Sequence, residues 1–395
     1  YCMKIALIST SNLENINGYF NNVRTRVRHL NNYEGVELDV YLVRLKHDWL
    51  LRLLLRRKKQ KESDYELIDG IRYNNLWIQY TLIDVILTYI LGLRKIICRR
   101  KLEKLANQFS KFEILLAHSF EGKYIAYCTK QKYGIPFICG WHGSDLNITP
   151  FRSKKIYLLH KLLIHHADFN LFVSKKLLEK SNEIIGGTNK GVSYSGISPE
   201  FFRMSPTTIS QLKNKFHLSK GFTVGFVGCL REIKNVLVLP AIFKKLQDRI
   251  ENINFVIVGE GELRDKLINK MRDTAVNNVS FLGKVDPSNM PKIMNCLDIL
   301  VLPSLNEGLP LVTIEAIACG VPVVGSDVGG IPEAIGKKNV FPLNTEFVDK
   351  ISDRIFTILL DNEPAPILPN YFSWVKTIDN LVQMCKEIVK TGNKE

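Results

Sequence analysis

A strand, a broken turn and a helix follow one another between Leu297 and Gly320, and that succession restricts the fold more than any other stretch of the chain. Leu297-Asp-Ile-Leu-Val-Leu302 is a short apolar run of the kind buried on both faces of a parallel sheet. Pro303 to Asn306 interrupt it with turn chemistry. Gly308 permits close approach of the backbone, Pro310 suits the first position of a helix, and Leu311 to Cys319 carry that helix to a terminating Gly320. The helix then points its N-terminus out of the carboxyl edge of a sheet, with free N–H groups and the positive end of its dipole turned toward an anion.

Two carboxylates bracket this geometry, Glu307 in the turn and Glu315 inside the helix, eight positions apart. A glycosidase holds its carboxyl pair about 5 to 9.5 Å apart across one bond. Eight residues of mostly helical chain span roughly 10 Å or more, so hydrolysis by this pair is disfavoured. Binding suits them better. An ionised carboxylate offers only acceptors, which match the hydroxyls of a ribose or hexose, and the helix end between them matches a diphosphate. On the carboxylates alone, two solvated acids beside an ordinary buried helix fit equally well.

The flanks extend the pattern. Glu307-Gly-Leu-Pro-Leu-Val-Thr-Ile-Glu315, with Ala316, Ala318-Cys-Gly320, Pro322-Val-Val324 and Gly329-Gly-Ile-Pro-Glu333, resembles the donor-binding core of the retaining glycosyltransferases with a Glu-x7-Glu motif, glycosyltransferase family four. Those enzymes have the two-domain GT-B fold. The resemblance implies that Glu315 grips the ribose of a nucleotide-sugar and that Glu307 lies beside the donor sugar. It also implies that the backbone from Gly308 through Leu309 and Pro310 to Leu311 holds the diphosphate and sugar.

The resemblance continues upstream. Thr223-Val-Gly-Phe-Val-Gly228 reads as a strand ending in a glycine at the donor site. Where the family continues with an arginine and, five residues later, a lysine, this chain has Cys229 and Lys234. Lys234 is thereby implied at the diphosphate, and either Arg231 reaches over from two residues away or the donor is held with one cation fewer. Gly140-Trp-His-Gly-Ser-Asp-Leu146 is similar to the family's His-Gly-Ser/Thr-Asp element. It implies His142 as a catalytic contact to the donor sugar, with Asp145 supporting the loop or meeting the acceptor. Ser174 matches a family position on the acceptor side. Gly18 stands in a first loop where two glycines are usual over the diphosphate; read alone, it is equally an ordinary turn glycine. Tyr194 and Ser195 replace a Pro-Asn pair.

A chain of 395 residues is long for one core and suits two domains. Strand candidates at 3–8, 38–43, 113–117, 136–140, 170–173, 223–228, 254–259, 279–283 and near 340–342 alternate with helices, among them 19–30, 347–360 and 372–391. Such alternation argues for parallel, doubly wound sheets. The expected fold class is α/β of the GT-B kind, two Rossmann-like domains facing across a cleft. An acceptor-binding domain is expected over 1–204 and a nucleotide-sugar donor-binding domain over 205–371, with the polar stretch 203–220 as linker. By resemblance, a last helix at 372–395 packs back on the first domain. The strand at the N-terminus leaves no room for a signal peptide.

Charged residues make up 24% of the chain and hydrophobic ones 46%, which argues against disorder and against an integral membrane bundle. Eight cysteines stand singly, with no Cys-x-x-Cys pair and no histidine cluster at metal spacing. Free thiols in a reducing cytoplasm, with no metal and no cofactor, are therefore expected. The net charge of +15 is uneven: residues 1–200 hold 31 basic and 18 acidic side chains, the remainder 23 and 21. Nucleic acid, an anionic membrane or an anionic acceptor would be drawn to the basic half, and the lack of a nucleic-acid signature ranks nucleic acid last. Within Asp48 to Lys61, Trp49, Leu50, Leu53 and Leu54 form one helical stripe beside Arg52, Arg56 and Lys59. That suits a helix lying on anionic lipid at the inner face of the cell membrane, or one that packs its leucines on its own domain. The apolar stretch 81–98 is broken by Asp84, Arg94 and Lys95 before it could cross a bilayer.

The reaction implied is transfer of a sugar from a UDP-, GDP- or similar donor to a carbohydrate or lipid-linked acceptor, with configuration retained and without a metal. Surface polysaccharide or glycolipid synthesis is the expected setting. A GT-B nucleotide-sugar epimerase or phosphorylase is one rival. A catalytically silent scaffold that binds a glycan or nucleotide-sugar is the other, favoured by Cys229 and the single glycine of the first loop.

Overall fold

A computed structural model describes residues 2–10, 18–49, 53, 62–84, 94–187, 189–218 and 221–392. The chain divides into two compact units. One comprises Tyr1–Val173, Leu178–Ser193 and Trp374–Glu395, the other Ser174–Leu177 and Tyr194–Ser373.

Among the described residues the first unit contains an eight-stranded sheet. Its strands are β1 (Met3–Ser9), β2 (Val36–His47), β3 (Tyr65–Ile68), β4 (Ile71–Tyr80), β5 (Ile114–Ala117), β6 (Phe137–Trp141), β7 (Phe169–Phe172) and β8 (Lys190–Val192). Their order is β3-β4-β2-β1-β5-β6-β7-β8, parallel throughout except for the β3–β4 hairpin. No strand was expected at 65–80. Asp69-Gly70 is the overlooked signal: both residues have positive φ, 55° and 75°, as a two-residue hairpin turn requires. Ile5, Leu7, Ile114 and Leu116 on the strands pack with Val23, Val27 and Leu30 of the helix Gly18–Asn31. Trp374, Ile378, Leu381, Val382 and Cys385 of the chain's last described helix, Trp374–Gly392, complete this core.

The second unit holds β9 (Phe222–Val227), β10 (Ile253–Val258), β11 (Val279–Gly283), β12 (Ile299–Leu302), β13 (Val323–Ser326) and β14 (Val340–Phe341). They form one parallel sheet in the order β11-β10-β9-β12-β13-β14. The chain builds outward from β9, returns to β12 and builds the other way. Open α/β sheets take their ligands at the carboxyl ends of such a reversal. The loops that leave it are those after Val227 and after Leu302. In the first unit the reversal lies between β1 and β5, with β6 next in line.

Three expectations need correction or limits. The stretch 203–220 is not a plain linker: Pro206–Lys215 is a helix, begun by Pro206 and capped by Ser205, whose Oγ accepts the Thr208 N–H at 3.2 Å. The units divide after Ser193 rather than after 204, because Tyr194 stacks on Tyr371 at 4.6 Å and donates its hydroxyl to Glu333 at 2.7 Å. Of the segment 48–61, only Asp48, Trp49 and Leu53 are among the described residues, so the amphipathic-helix reading lies outside them. The same holds for 85–93 within the apolar stretch 81–98. Among the described residues no helix is long and apolar enough to cross a membrane.

Candidate active site

In the second unit, the loops after β9 and β12 are tied together by the Leu305 N–H, which donates to the Ile233 carbonyl at 2.9 Å. That link brings Lys234 and Glu307, 73 positions apart, into an ion pair with Nζ 2.5 Å from Oε1. Both side chains are largely enclosed, at 19% and 11% exposure, where a charge-assisted bond is stronger than at an open surface. Gly228 begins the same loop, and a Cβ added to it would stand 3.9 Å from the Lys234 side chain. Arg231 is exposed beside them.

Leu311–Ala318 is the helix anticipated after Gly308, with Pro310 as its N-cap rather than its first residue. No side chain caps its first turn. The Thr313 hydroxyl is directed back to the Pro310 carbonyl at 2.6 Å. The amino end therefore keeps its capacity for an outside acceptor. Gly320, at φ 73°, ends the helix in the left-handed conformation that glycine accepts most readily. One turn in from the start, Glu315 is partly buried. Among the described residues no cation or donor engages its carboxylate. Burial alone pushes its pKa up from 4.5 to about 7. A carboxylate so desolvated is suited to neutral hydroxyl donors.

Gly329 and Gly330 cross directly behind this loop. The Gly330 N–H donates to the Gly308 carbonyl at 2.7 Å. A Cβ on Gly329 would fall 2.0 Å from the Glu307 carbonyl oxygen, and one on Gly330 would fall 2.4 Å from that of Gly308. Only glycine lets the two backbones meet. The sequence shows these glycines but not their task, which exists only in the tertiary contact. Gly330→Ala is expected to destabilise the protein by about 2 kcal/mol or more, with a fall in Tm and a raised KM for a sugar donor. Calorimetry and steady-state kinetics check both.

Two further residues were expected at the bound ligands. Ser174, expected on the acceptor side, is fully buried, and its Oγ accepts the Leu177 N–H at 3.2 Å. Its oxygen thus caps the helix Lys175–Asn182. Glu333 reinforces that cap by accepting the N–H groups of Lys175 and Lys176, each at 2.9 Å. Gly18 opens the helix Gly18–Asn31, and an added Cβ there would meet nothing within 4 Å. Among the described residues no contact demands glycine at that position.

In the first unit, His142 follows β6 and its Nε2 lies 2.9 Å from Nδ1 of His118, which follows β5. His118 was missed from sequence, although a histidine directly after a buried strand next to β6 was the available signal. Gly140 makes room for it: a Cβ there would stand 2.4 Å from His118 Nδ1. The Tyr19 ring meets His142 edge-on at 4.9 Å. Burial lowers the His142 pKa to about 3, aided by Lys123 and Arg26 and opposed by Asp145. Burial likewise holds His118 well below its ordinary value. Both rings are therefore neutral near pH 7.

Asp145 supports the loop. Its Oδ1 accepts the N–H groups of His142 (3.0 Å) and Gly143 (2.9 Å), and its Oδ2 takes Lys123 Nζ at 2.8 Å. Lys123 is 1% exposed and lies 3.5 Å from the Trp141 ring centroid. Burial would raise the Asp145 pKa, but Lys123, His142 and the backbone donors outweigh it and hold the carboxyl below its ordinary value. The resulting stabilisation is present above the unfolded-state pKa of 3.8 and is lost as pH falls through the lower folded value. Asp145→Asn, which leaves a buried lysine without counter-charge, is expected to cost about 3 kcal/mol. Urea unfolding at pH 7 measures that loss, and the difference from wild type should shrink in strong acid.

Among the described residues no three His, Cys, Asp or Glu side chains converge as metal ligands, and all seven cysteines described are free.

Residues 209–373 match the family described as "Glycosyl transferases group 1". Among curated relatives, TuaC of Bacillus subtilis, named for glycosyl transfer in teichuronic acid biosynthesis, is 28% identical over 307 residues, 77% of this chain and 75% of its own. Among solved structures, Anabaena HepE in complex with UDP-glucose has a TM-score of 0.72 at 17% identity, over 98% of this chain and all of its own. The sucrose-phosphate synthase of Thermosynechococcus elongatus reaches 0.76 at 16%, with the same coverage. These likenesses at low identity establish the GT-B fold.

Proposed function

We propose, from the premise that this chain is a group 1 glycosyltransferase of the GT-B fold, that it moves a hexose or related sugar from a nucleoside diphosphate donor to an acceptor hydroxyl with retention at the anomeric carbon. The observation that carries this reading is Glu315, an enclosed carboxylate without a partner among the described residues, on the helix whose amino end has no side-chain cap.

Glu315 accepts the two ribose hydroxyls. The first-turn N–H groups from Leu311 and the backbone at Gly308 and Leu309 take the diphosphate. Lys234 shifts from Glu307 to the phosphates, with Arg231 as a second cation, and Glu307 turns to a hydroxyl of the donor sugar. The bond from the anomeric carbon to the diphosphate oxygen breaks as the acceptor oxygen bonds to the same face, and a donor phosphate oxygen receives the acceptor proton. No protein nucleophile is needed. The residues contribute positioning and stabilisation of the departing diphosphate. His142, neutral and fixed by His118, contacts the donor sugar rather than exchanging charge.

The acceptor is proposed to be a glycan or a lipid-linked sugar. A basic N-terminal half, 31 basic against 18 acidic residues over 1–200, would favour an anionic acceptor or the surface of an anionic membrane. The protein would then work in the cytoplasm at the membrane's inner face, in surface polysaccharide or glycolipid synthesis. The relationship to TuaC supports that setting.

Incubation with a panel of UDP- and GDP-sugars tests the reading. Slow hydrolysis of one donor, with the free sugar released first as the donor's own anomer by NMR, is expected. Binding of a donor with no turnover, with or without a range of acceptors, would favour a silent scaffold instead.

A further inference from the structure

Arg26 projects from the helix Gly18–Asn31 into the interior of the first unit and is 2% exposed. Its terminal nitrogens both reach the Ser193 hydroxyl, each only at 3.4 Å, and its Nε has no hydrogen-bond partner among the described residues. Its ring neighbour, Trp374, lies 5.8 Å from the guanidinium carbon. Burial pushes the Arg26 pKa down to about 10, with no described carboxylate acting against it. The side chain still carries its charge at neutral pH. Asp145 is not in contact with it among the described residues; its oxygens accept from Lys123 and two backbone N–H groups instead. Of the two buried cations, Lys123 is paired with Asp145, and among the described residues no carboxylate pairs with Arg26. An enclosed charge left in that condition is strongly destabilising unless a counter-ion offsets it.

The guanidinium lines a small pocket with His118, His142, Trp141 and Ser193. The free space beside it is small and suits a single small species. The wall supplies donors: the guanidinium N–H groups, the Ser193 O–H, whose oxygen already accepts from Arg26, and a ring N–H of the histidine pair. A water would meet those donors and leave the charge unanswered. We infer that this pocket is a binding site for a monoatomic anion, chloride under cellular conditions, held by Arg26 and Ser193 beside the His118–His142 pair. The site neutralises the interior of the first unit, and it stands whether or not His142 meets a sugar.

The test uses the full chain in sodium chloride, sodium bromide and sodium gluconate at matched ionic strength. Tm is expected to rise saturably with either halide, by about 2 °C or more above gluconate, and Arg26→Met is expected to lose the halide-specific rise. A crystal grown in bromide should show an anomalous peak in contact with Arg26 and Ser193 Oγ. Identical unfolding of the wild type in chloride and gluconate, or bromide bound only elsewhere, overturns the inference. Should Arg26→Met fail to fold, Ser193→Ala decides. It removes one donor, so the half-saturating chloride concentration should rise about fivefold, and an unchanged value counts against the site.

Discussion

Glu315→Ala is expected to lower kcat/KM for the sugar donor by on the order of 100-fold or more, and Glu315→Gln, which keeps the shape, to do nearly as much harm. Each hydrogen bond from a ribose hydroxyl to a charged acceptor contributes about 1.5–3 kcal/mol, and Glu315 offers two oxygens with no competing partner among the described residues. The same substitutions should not weaken the fold. The folded-state pKa of about 7 lies above the ordinary 4.5. Holding Glu315 ionised therefore opposes folding, and the wild type loses up to about 3 kcal/mol of stability as pH rises from 4.5 toward 7 and beyond. Glu315→Gln is consequently expected to match or exceed wild-type stability at pH 8 while turnover collapses. Urea unfolding and donor kinetics on one preparation measure both. In the wild type, donor KM should also improve as pH rises through about 7, a dependence that Glu315→Gln removes.

The second large effect is that of Lys234→Ala. A lysine that stabilises a leaving diphosphate acts more in the transition state than in the ground state, so kcat should fall by on the order of 100-fold or more, with a smaller change in KM. Loss of the 2.5 Å pair also leaves Glu307 enclosed at 11% exposure without its cation, which adds a stability loss of about 1 kcal/mol. Lys234→Arg keeps the charge but changes its shape and reach, and should recover only part of the rate. A variant that lost stability and kept kcat would reduce Lys234 to a structural partner of Glu307.

Much of the second unit was legible in advance. The strand candidates fell on β9 to β12 and on β14 within a residue or two, β13 was not among them, and the helix Phe347–Leu360 lies where it was expected. Short apolar runs between turn residues are unambiguous when both faces of a parallel strand are buried. What escaped was chemistry fixed by distant contacts. The Lys234–Glu307 pair depends on one backbone hydrogen bond between loops, and the supporting role of Gly329-Gly330 depends on a carbonyl 2.0 Å from an absent Cβ. Ser174, matched to a binding position by resemblance, also caps a helix, a task common for a serine before a helical run. Asp145, read as a loop support or an acceptor contact, has the first of those tasks, because an acid two and three residues after amides in a tight loop satisfies those amides. The hairpin at Asp69-Gly70 carried a sufficient local signal in its positive-φ turn pair.

The central claim is that a nucleoside diphosphate seats at the amino end of the helix Leu311–Ala318 with its ribose on Glu315. A crystal structure with the nucleoside diphosphate released by the preferred donor measures this directly. The account predicts both ribose hydroxyls within about 3 Å of the Glu315 carboxylate oxygens, with the diphosphate meeting Lys234 and the N–H groups at Leu311. A nucleotide bound elsewhere, or a ribose turned away from Glu315, would contradict it.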